Sequence, residues 1–413
     1  MIICKFGGSS VVNESTANNI KTILHSNTNR RISVFSALGK NKQYSKKTTD
    51  ELYECFFIYQ QDKQKSKSLL NNVLKKYKTL ANTLKVKINL HKEFLYIYSQ
   101  FNSNKMTKEY LVSRGEYLCA LIFSKFLGFE FLDASNYIIF NKNGELNFKE
   151  TKKRLKSLDL SKQYCIGGFY GATKKGEIKT FPRGGSDITG SIIAKALNCE
   201  IYENYTDVNG VYDKNPNIFS SASPLPFLNY KTAYQMAEFG NEVVHKSALN
   251  YLKDSNTVLI VKNTFNYLIL GTILVSTDVL FDDIYVCLAN IYLLKTKVLP
   301  FKILERIKQI SEIQKIIYSN GEYYIVLRKL YVDKEKILSL YSEFNFCPAY
   351  MFTIFSNNIL NKKSIKNIGK LQKKLKNMQI LSKFISFKNN FVIISPKEHY
   401  NKIILALNKY LQK

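Results

Sequence analysis

The chain has 413 residues, 45% of them hydrophobic, and 61 Lys+Arg against 32 Asp+Glu give a formal charge of +29. That length exceeds one simple core and predicts two or three domains. The charge is spread over the whole chain, among abundant Tyr and Phe and no Trp, a pattern of AT-rich codons rather than of a polyanion-binding patch, so no specific nucleic-acid partner is expected.

The seven cysteines contain no C-x-x-C pair, which predicts a reduced, cytoplasmic protein without a disulfide frame or zinc site. Lys5 interrupts the apolar start, so no signal pattern is read there. No membrane association is expected either: Tyr267 to Val275 is too short for a span and contains Gly271.

Met1 to Phe6 reads as a buried strand entering Gly7-Gly8-Ser9-Ser10-Val11, with a helix from about Ser15. A strand, a glycine pair and small hydroxyls before a helix make a phosphate-cradling layout, because N–H groups at such a turn are free to bind an anion. Lys5 brings an ammonium within reach of the same phosphate; the alternative is an ordinary turn with a surface lysine. It is not a Walker loop, since G-K-[ST] is missing. Ile32 to Ser36 is a second strand, and Ala37-Leu38-Gly39 follows at its carboxyl end, where open α/β sheets bind ligands.

Asp50 to about Gln100 has helical spacing, for example Leu69, Leu70, Val73, Leu74 and Tyr77, and belongs to a helical insertion over about 50–128. Ser113-Arg114-Gly115-Glu116 starts or lines the next helix. A first-turn Glu116 favours the helix dipole or holds a substrate ammonium. Phe129 to Leu132, Tyr137 to Phe140 and Tyr164 to Tyr170 are strand-like, and Ile178 to Phe181 leads into Arg183-Gly184-Gly185-Ser186-Asp187. There the glycines allow close backbone approach, Ser186 and Asp187 are cap-forming types, the helix start attracts an anion, and Arg183 offers a planar fork to a carboxylate or phosphate. Ile201 to Tyr205 then delivers Thr206-Asp207, followed by an Asn209-Gly210 turn and Tyr212.

Helices at Tyr230 to Phe239 and Val243 to Leu252, with strands at Val258 to Val261 and Thr272 to Val275, complete an α/β domain with a largely parallel sheet over 1–281. Beyond it come strands at 285–295, 322–328, 350–356 and 391–395, and helices at 302–310, 334–344, 364–375 and 399–411. They predict two small βαββαβ-like, ferredoxin-like units, 282–345 and 346–413.

The stretches KFGGSSV (Lys5 to Val11), SRGE (Ser113 to Glu116), RGGSD (Arg183 to Asp187) and YTDVNGVY (Tyr205 to Tyr212) resemble, in order and spacing, the aspartate kinases. The likeness extends to EFGNEVVH (Glu238 to His245), and the C-terminal pair looks like that family's tandem ACT domains. The resemblance implies an α/β, amino-acid-kinase-like sandwich and transfer of the ATP γ-phosphate to the side-chain carboxylate of L-aspartate. The product is 4-phospho-L-aspartate, towards lysine, threonine and methionine, with Mg2+ as the accompanying ion and a homodimer through the ACT-like units. An aspartate carboxylate, of pKa ~4, is ionised at neutral pH and needs no general base. Catalysis then reduces to positioning and charge neutralisation.

By similarity, Lys5 and the Gly7-Gly8 backbone neutralise the transferring phosphate, and Asp187 orders Lys5. Arg183 clamps a substrate carboxylate, Glu116 holds the ammonium, and Ser36 and Ser186 touch substrate. Ser9, Thr206, Asp207, Gly210 and Tyr212 line the nucleotide. Asn41-Lys42-Gln43 stands where the family has Thr-Thr-Asn or Ile-Thr-Asn, so a substrate-contacting hydroxyl is lost or shifted. Asn217 and Glu242 replace a family Arg and Lys, with Lys214 and Lys246 as candidate replacements, so weaker ATP binding is expected. Tyr318-Ser319-Asn320-Gly321-Glu322 replaces Thr-Thr-Ser-Glu, and lysine or threonine feedback is expected to weaken. Two other readings are a glutamate or uridylate kinase and a catalytically weak amino-acid-binding regulator; Lys5, Glu116, Arg183 and Asp187 together favour an enzyme.

Overall fold

The structure, a computed structural model, describes residues 1–41, 43–103, 105–182, 184–241, 243–276, 284–299, 301–319, 321–330, 334–340, 344–356, 362–377, 383–387 and 390–410. The chain forms two compact units. The first comprises Met1–Val211, Pro224–Tyr234 and Val243–Asp278; the second comprises Tyr212–Ser223, Gln235–Glu242 and Val279–Lys413.

The first unit opens with β1 (Ile2–Phe6), α1 (Glu14–His25) and β2 (Arg30–Phe35). Four helices follow: α2 (Thr48–Tyr59), α3 (Lys63–Thr83), α4 (Leu90–Asn102) and α5 (Lys108–Leu127). Next come β3 (Glu130–Leu132), α6 (Ala134–Tyr137), β4 (Ile139–Phe140), α7 (Phe148–Lys156), β5 (Tyr164–Gly167), β6 (Tyr170–Thr173), β7 (Ile178–Thr180) and α8 (Gly185–Ala196). The unit is completed by β8 (Ile201–Thr206), β9 (Phe227–Asn229), α9 (Tyr230–Glu238, whose last residues belong to the second unit), α10 (Lys246–Leu252), β10 (Val258–Asn263) and β11 (Thr272–Val275).

Its main sheet has the order β3-β5-β2-β1-β8-β10-β11-β9, parallel except where β10 meets β11. Parallel strands buried on both faces read as apolar runs, and all five residues of β1 are buried. Alternation sends Ile2, Cys4 and Phe6 into the large core shared with α1, α3 and α5. Lys5 points to the other face, where α8 lies.

Two local expectations need correction. Tyr164 to Tyr170 is not one strand. The backbone turns at Phe169, a non-glycine residue at φ 73°, and β6 leaves for a separate three-stranded sheet with β4 and β7. Glu116 is not in a first turn: Thr107 caps α5 by accepting from Tyr110 N at 3.2 Å, which puts Glu116 deep in the helix.

The second unit contains β12 (Ile284–Thr296), α11 (Phe301–Ile310), β13 (Ser311–Ser319), β14 (Glu322–Leu330), α12 (Lys334–Leu338), β15 (Asn345–Ser356), α13 (Lys362–Asn377), β16 (Lys383–Phe387), β17 (Asn390–Pro396) and α14 (Tyr400–Tyr410). Its strands make one antiparallel sheet, β13-β14-β12-β15-β17-β16. The two halves meet through the long β12–β15 pairing, from Ile284 opposite Ser356 to Lys295 opposite Asn345. Each half thus places its first strand against the other's, and the halves follow the same order outward. Sequence periodicity had missed β13 and β16, the two edge strands.

Candidate active site

The register of the first unit sets a level edge. Gly167, Phe35, Phe6 and Tyr205 are neighbours across β5, β2, β1 and β8. Their rings form a continuous stack: Tyr205 to Phe6 at 4.9 Å, Phe6 to Phe35 at 5.6 Å, and Phe35 to Phe123 of α5 at 4.7 Å. β1, β2 and β5 end on this row and β8 one residue later. The ladder continues one residue further, with Gly7 N donating to Tyr205 O (3.0 Å), Ser36 N to Phe6 O (3.1 Å) and Gly168 N to Phe35 O (2.9 Å). The loops carrying Gly7-Gly8, Ser36 to Gly39, Gly168 and Thr206 therefore crowd together at the carboxyl edge of the sheet, the position where such sheets bind ligands.

Crowding explains the glycines. Gly39 N donates to Gly8 O at 3.0 Å, and a Cβ on Gly39 would lie 2.6 Å from the Gly8 carbonyl carbon. Gly184 caps α8 at φ 81°, a region that favours glycine, and a Cβ there would collide with the His245 ring at 2.6 Å.

Lys5 and Asp187 meet above this edge. Lys5 Nζ lies 2.7 Å from Asp187 Oδ1, with both side chains nearly out of solvent. The ammonium also sits over the glycine turn, 3.6 Å from where a Cβ on Gly7 would stand. Asp187 is held on three sides. Its Oδ1 accepts from Asn204 Nδ2 at 3.2 Å, and its Oδ2 accepts from His245 N at 3.4 Å. Asn204 is the β8 residue beside Lys5 in register. Sequence reading passed over Asn204, although an amide inside an apolar strand is a usable signal of a buried polar partner.

Ser186, in the first turn of α8, is buried and packs against Gly168, whose Cβ would fall 2.7 Å from Ser186 Oγ. A Cβ on Gly167 would come within 3.0 Å of the Glu116 backbone. Glu116 is therefore brought to the same edge. Burial pushes its carboxyl up to about 8, against the lowering effect of backbone hydrogen bonds and Arg114, and Oε2 has no hydrogen-bond partner among the described residues. Arg114 lies within the aromatic faces of Tyr117 (4.4 Å), Tyr110 (4.6 Å) and Tyr170 (5.5 Å).

Another hydroxyl stands beside the loop where one was expected to be lost or shifted. The chain after Gly39 loops out and returns, and Thr48 N donates to Leu38 O at 3.0 Å. Thr48 Oγ1 is buried and without a hydrogen-bond partner among the described residues. The signal in the sequence was Thr48-Thr49-Asp50 at a helix start.

On the other side of β1, Ser10 Oγ and Thr264 Oγ1 are 2.6 Å apart, Thr264 N donates to Thr206 O at 2.9 Å, and Asn263 Nδ2 donates to Asn209 Oδ1 at 2.7 Å. Ser9 and Thr206 are partly exposed and Asp207 is exposed, while Gly210 is buried against Thr272. Tyr212 belongs to the second unit, where its carbonyl accepts from Asn241 Nδ2 at 3.4 Å. Asn217 is exposed in that unit, and Lys214 is buried there, 3.2 Å from Ser221 Oγ and 3.9 Å from Asp213. Arg183, Glu242 and Lys42 lie outside the described residues.

What stands at the edge is a buried cation, an anion that orients it, a helix N-terminus, and a protonatable carboxyl in an apolar surround. Such a site binds an anionic group next to a cationic one. No helix among the described residues is long and apolar enough to cross a membrane.

Known proteins agree with this architecture. Aspartokinase 3 of Bacillus subtilis is 27% identical over 290 residues, 67% of this chain and 64% of that protein, so the chain spans just under two thirds of that relative's length. The structure superposes on Clostridium acetobutylicum aspartate kinase with a TM-score of 0.79 at 24% identity, covering 100% of both chains. The same TM-score, at 19% identity and with 100% of both chains covered, relates it to E. coli aspartokinase III solved with aspartate and ADP. A model of the amino acid kinase family matches residues 1–263, and the chain belongs to that family.

Proposed function

We propose that the chain is an aspartate kinase. The observation that carries the reading is the buried Lys5–Asp187 pair, set between the glycine turn and the start of α8. The aspartate and ADP held by the E. coli enzyme and the B. subtilis aspartokinase support the same substrates here. In this reading an oxygen of the aspartate side chain attacks the γ-phosphorus, the bond to the β–γ bridging oxygen breaks, and ADP leaves with its electron pair. No proton moves at the nucleophile. Lys5 faces the transferring phosphoryl, whose charge it neutralises, and α8 turns its N–H groups towards the anions. Glu116 takes the substrate ammonium, Ser36, Ser186 and Thr48 lie to its carboxylates, and Arg183 serves as their clamp. Ser9, Thr206, Asp207 and Gly210 serve the nucleotide.

Among the described residues no three His, Cys, Asp or Glu side chains form a group able to hold a metal. Mg2+ belongs to this reading as the ion that would accompany the nucleotide. The paired halves of the second unit serve as ACT-like regulatory units and as a dimer contact, in a protein of the cytoplasm.

The test is ATP-dependent hydroxamate formation by purified protein offered L-aspartate, L-glutamate or UMP. Turnover with aspartate alone is the expected result. Turnover with another acceptor, or amino-acid binding without turnover, overturns the reading.

Glu116 adds a pH signature. A carboxyl that titrates at about 8 is mostly neutral at pH 6, and a substrate ammonium needs it ionised. The KM for aspartate is expected to fall by up to about tenfold per pH unit between pH 6 and 8, then level off. In Glu116→Gln the KM should be raised and flat across the same range. A wild-type KM independent of pH there would contradict this role.

A further inference from the structure

Three buried polar atoms without a well-formed hydrogen bond among the described residues gather near the loop after β2: the Tyr77 hydroxyl, Thr48 Oγ1 and Glu116 Oε2. They belong to one neighbourhood. A Cβ on Gly115 would fall 2.8 Å from Ala37 Cβ and 3.3 Å from Tyr77 Oη, so the phenol stands beside the residue that precedes Glu116. Thr48 is tied to the same loop through Leu38. The Leu38 backbone and the Thr48 hydroxyl lie within hydrogen-bonding reach of the phenol, and the charges of Cys119 and Glu116 act on it as well.

Tyr77 comes from α3, in the helical insertion, and has no exposed surface. Its neighbour Lys76 pairs with Glu51 in the first turn of α2, and the Lys76 ammonium lies 4.5 Å from the centre of the Tyr44 ring in the loop. Consecutive residues of α3 thus grip both the loop and the start of α2. A buried phenol oxygen whose hydrogen bonds are poorly formed is unfavourable for folding, and phenylalanine would fill the same space without it. Once the phenol is aligned on Thr48, the Thr48 hydroxyl and Glu116 Oε2 are left for a bound molecule to complete.

Resting on the function above, we propose that Tyr77 is a positioning residue for the amino-acid substrate. Its O–H donates to Thr48 Oγ1, which leaves the Thr48 proton free to donate to a carboxylate oxygen beside the ammonium that Glu116 takes. The phenol touches no substrate atom; it fixes the direction in which Thr48 points. The insertion thereby takes part in selecting an α-amino acid with a carboxylate.

The experiment is a double-mutant cycle on the full chain with Tyr77→Phe and Thr48→Val. Tyr77→Phe is expected to raise the KM for aspartate about fivefold, with the KM for ATP and kcat within about twofold and no loss of thermal stability. Thr48→Val should raise the aspartate KM at least as much, and adding Tyr77→Phe to it should change KM by less than about twofold, because the two hydroxyls act as one unit. An unchanged aspartate KM in Tyr77→Phe overturns the proposal, as does a parallel rise for both substrates or simple additivity in the cycle. A wild-type chain without aspartate-dependent turnover overturns the function reading, and this proposal with it.

Discussion

Lys5→Met is expected to lower kcat about a thousandfold, with the KM for aspartate and for ATP each within about threefold. Methionine keeps an unbranched apolar stem, so the packing of β1 against α8 survives while the charge goes. The split between kcat and KM follows from where the charge acts. Repulsion between a carboxylate and a phosphoryl group is greatest when they are closest, so an ammonium there stabilises the transition state more than either bound reactant. Two controls separate chemistry from folding. Lys5→Met leaves the buried Asp187 carboxylate without its cation, though still bonded to Asn204 and to the His245 backbone. Lys5→Met combined with Asp187→Asn should therefore recover thermal stability but not activity. Lys5→Arg should remain poor, since a planar fork does not fit where a point charge stands 2.7 Å from Asp187 Oδ1. A kcat for Lys5→Met within tenfold of wild type would remove the lysine from the mechanism.

The parts of this site legible in the sequence are those whose chemistry and backbone demands sit in one short stretch. Lys5 with Gly7-Gly8 is such a stretch, and so is Gly184-Gly185-Ser186-Asp187. Gly8, Gly184 and Gly185 stand where a Cβ would collide, Gly184 also at positive φ, and the reactive residue lies within three positions. What escaped depends on chain segments distant in sequence. Thr48 is brought beside this edge by a loop that closes on Leu38; Thr48-Thr49-Asp50 signals a helix start but not that closure. Asn204 acquires its role from the β1–β8 register. The break after β5 was marked by Gly167-Gly168, but the positive φ falls on Phe169, a residue type that does not announce it. In the C-terminal part, periodicity supplied the helices and the inner strands in order but not the edge strands β13 and β16. The antiparallel β12–β15 seam and the recruitment of Tyr212–Ser223 into that unit are long-range facts. Periodicity reports which face of an element is apolar, not which element covers it.

The largest effect on stability is expected at Glu203, which takes no part in the chemistry. It lies on β8 beneath the site and gathers four partners. Arg30 donates from Nε at 2.7 Å and from Nη2 at 3.1 Å, Tyr205 donates its hydroxyl at 3.2 Å, Cys4 its thiol at 3.4 Å, and Lys262 Nζ lies 3.7 Å away. Burial by itself would raise this carboxyl. The Arg30 hydrogen bonds and charge, followed by Lys262, outweigh burial and hold it below its ordinary value. A carboxyl depressed in the folded state contributes stability that is complete above the unfolded pKa, near ~4.3, and is lost as pH falls through the folded value. Glu203→Gln keeps the shape and removes the charge. It leaves Arg30, almost wholly buried, facing a neutral amide, at a cost of about 3–5 kcal/mol. For a unit of this size that corresponds to a fall in melting temperature of roughly 6–15 °C, measurable by circular dichroism. Two further measurements identify the cause. The mutant should lose the wild-type sensitivity of its melting temperature to acid below about pH 4.5. Adding Arg30→Met should restore part of the loss, because an unpaired buried cation costs more than an apolar side chain of similar length. A Glu203→Gln protein that melts within 2 °C of wild type, with the same acid limb, would mean that the network contributes nothing beyond its packing.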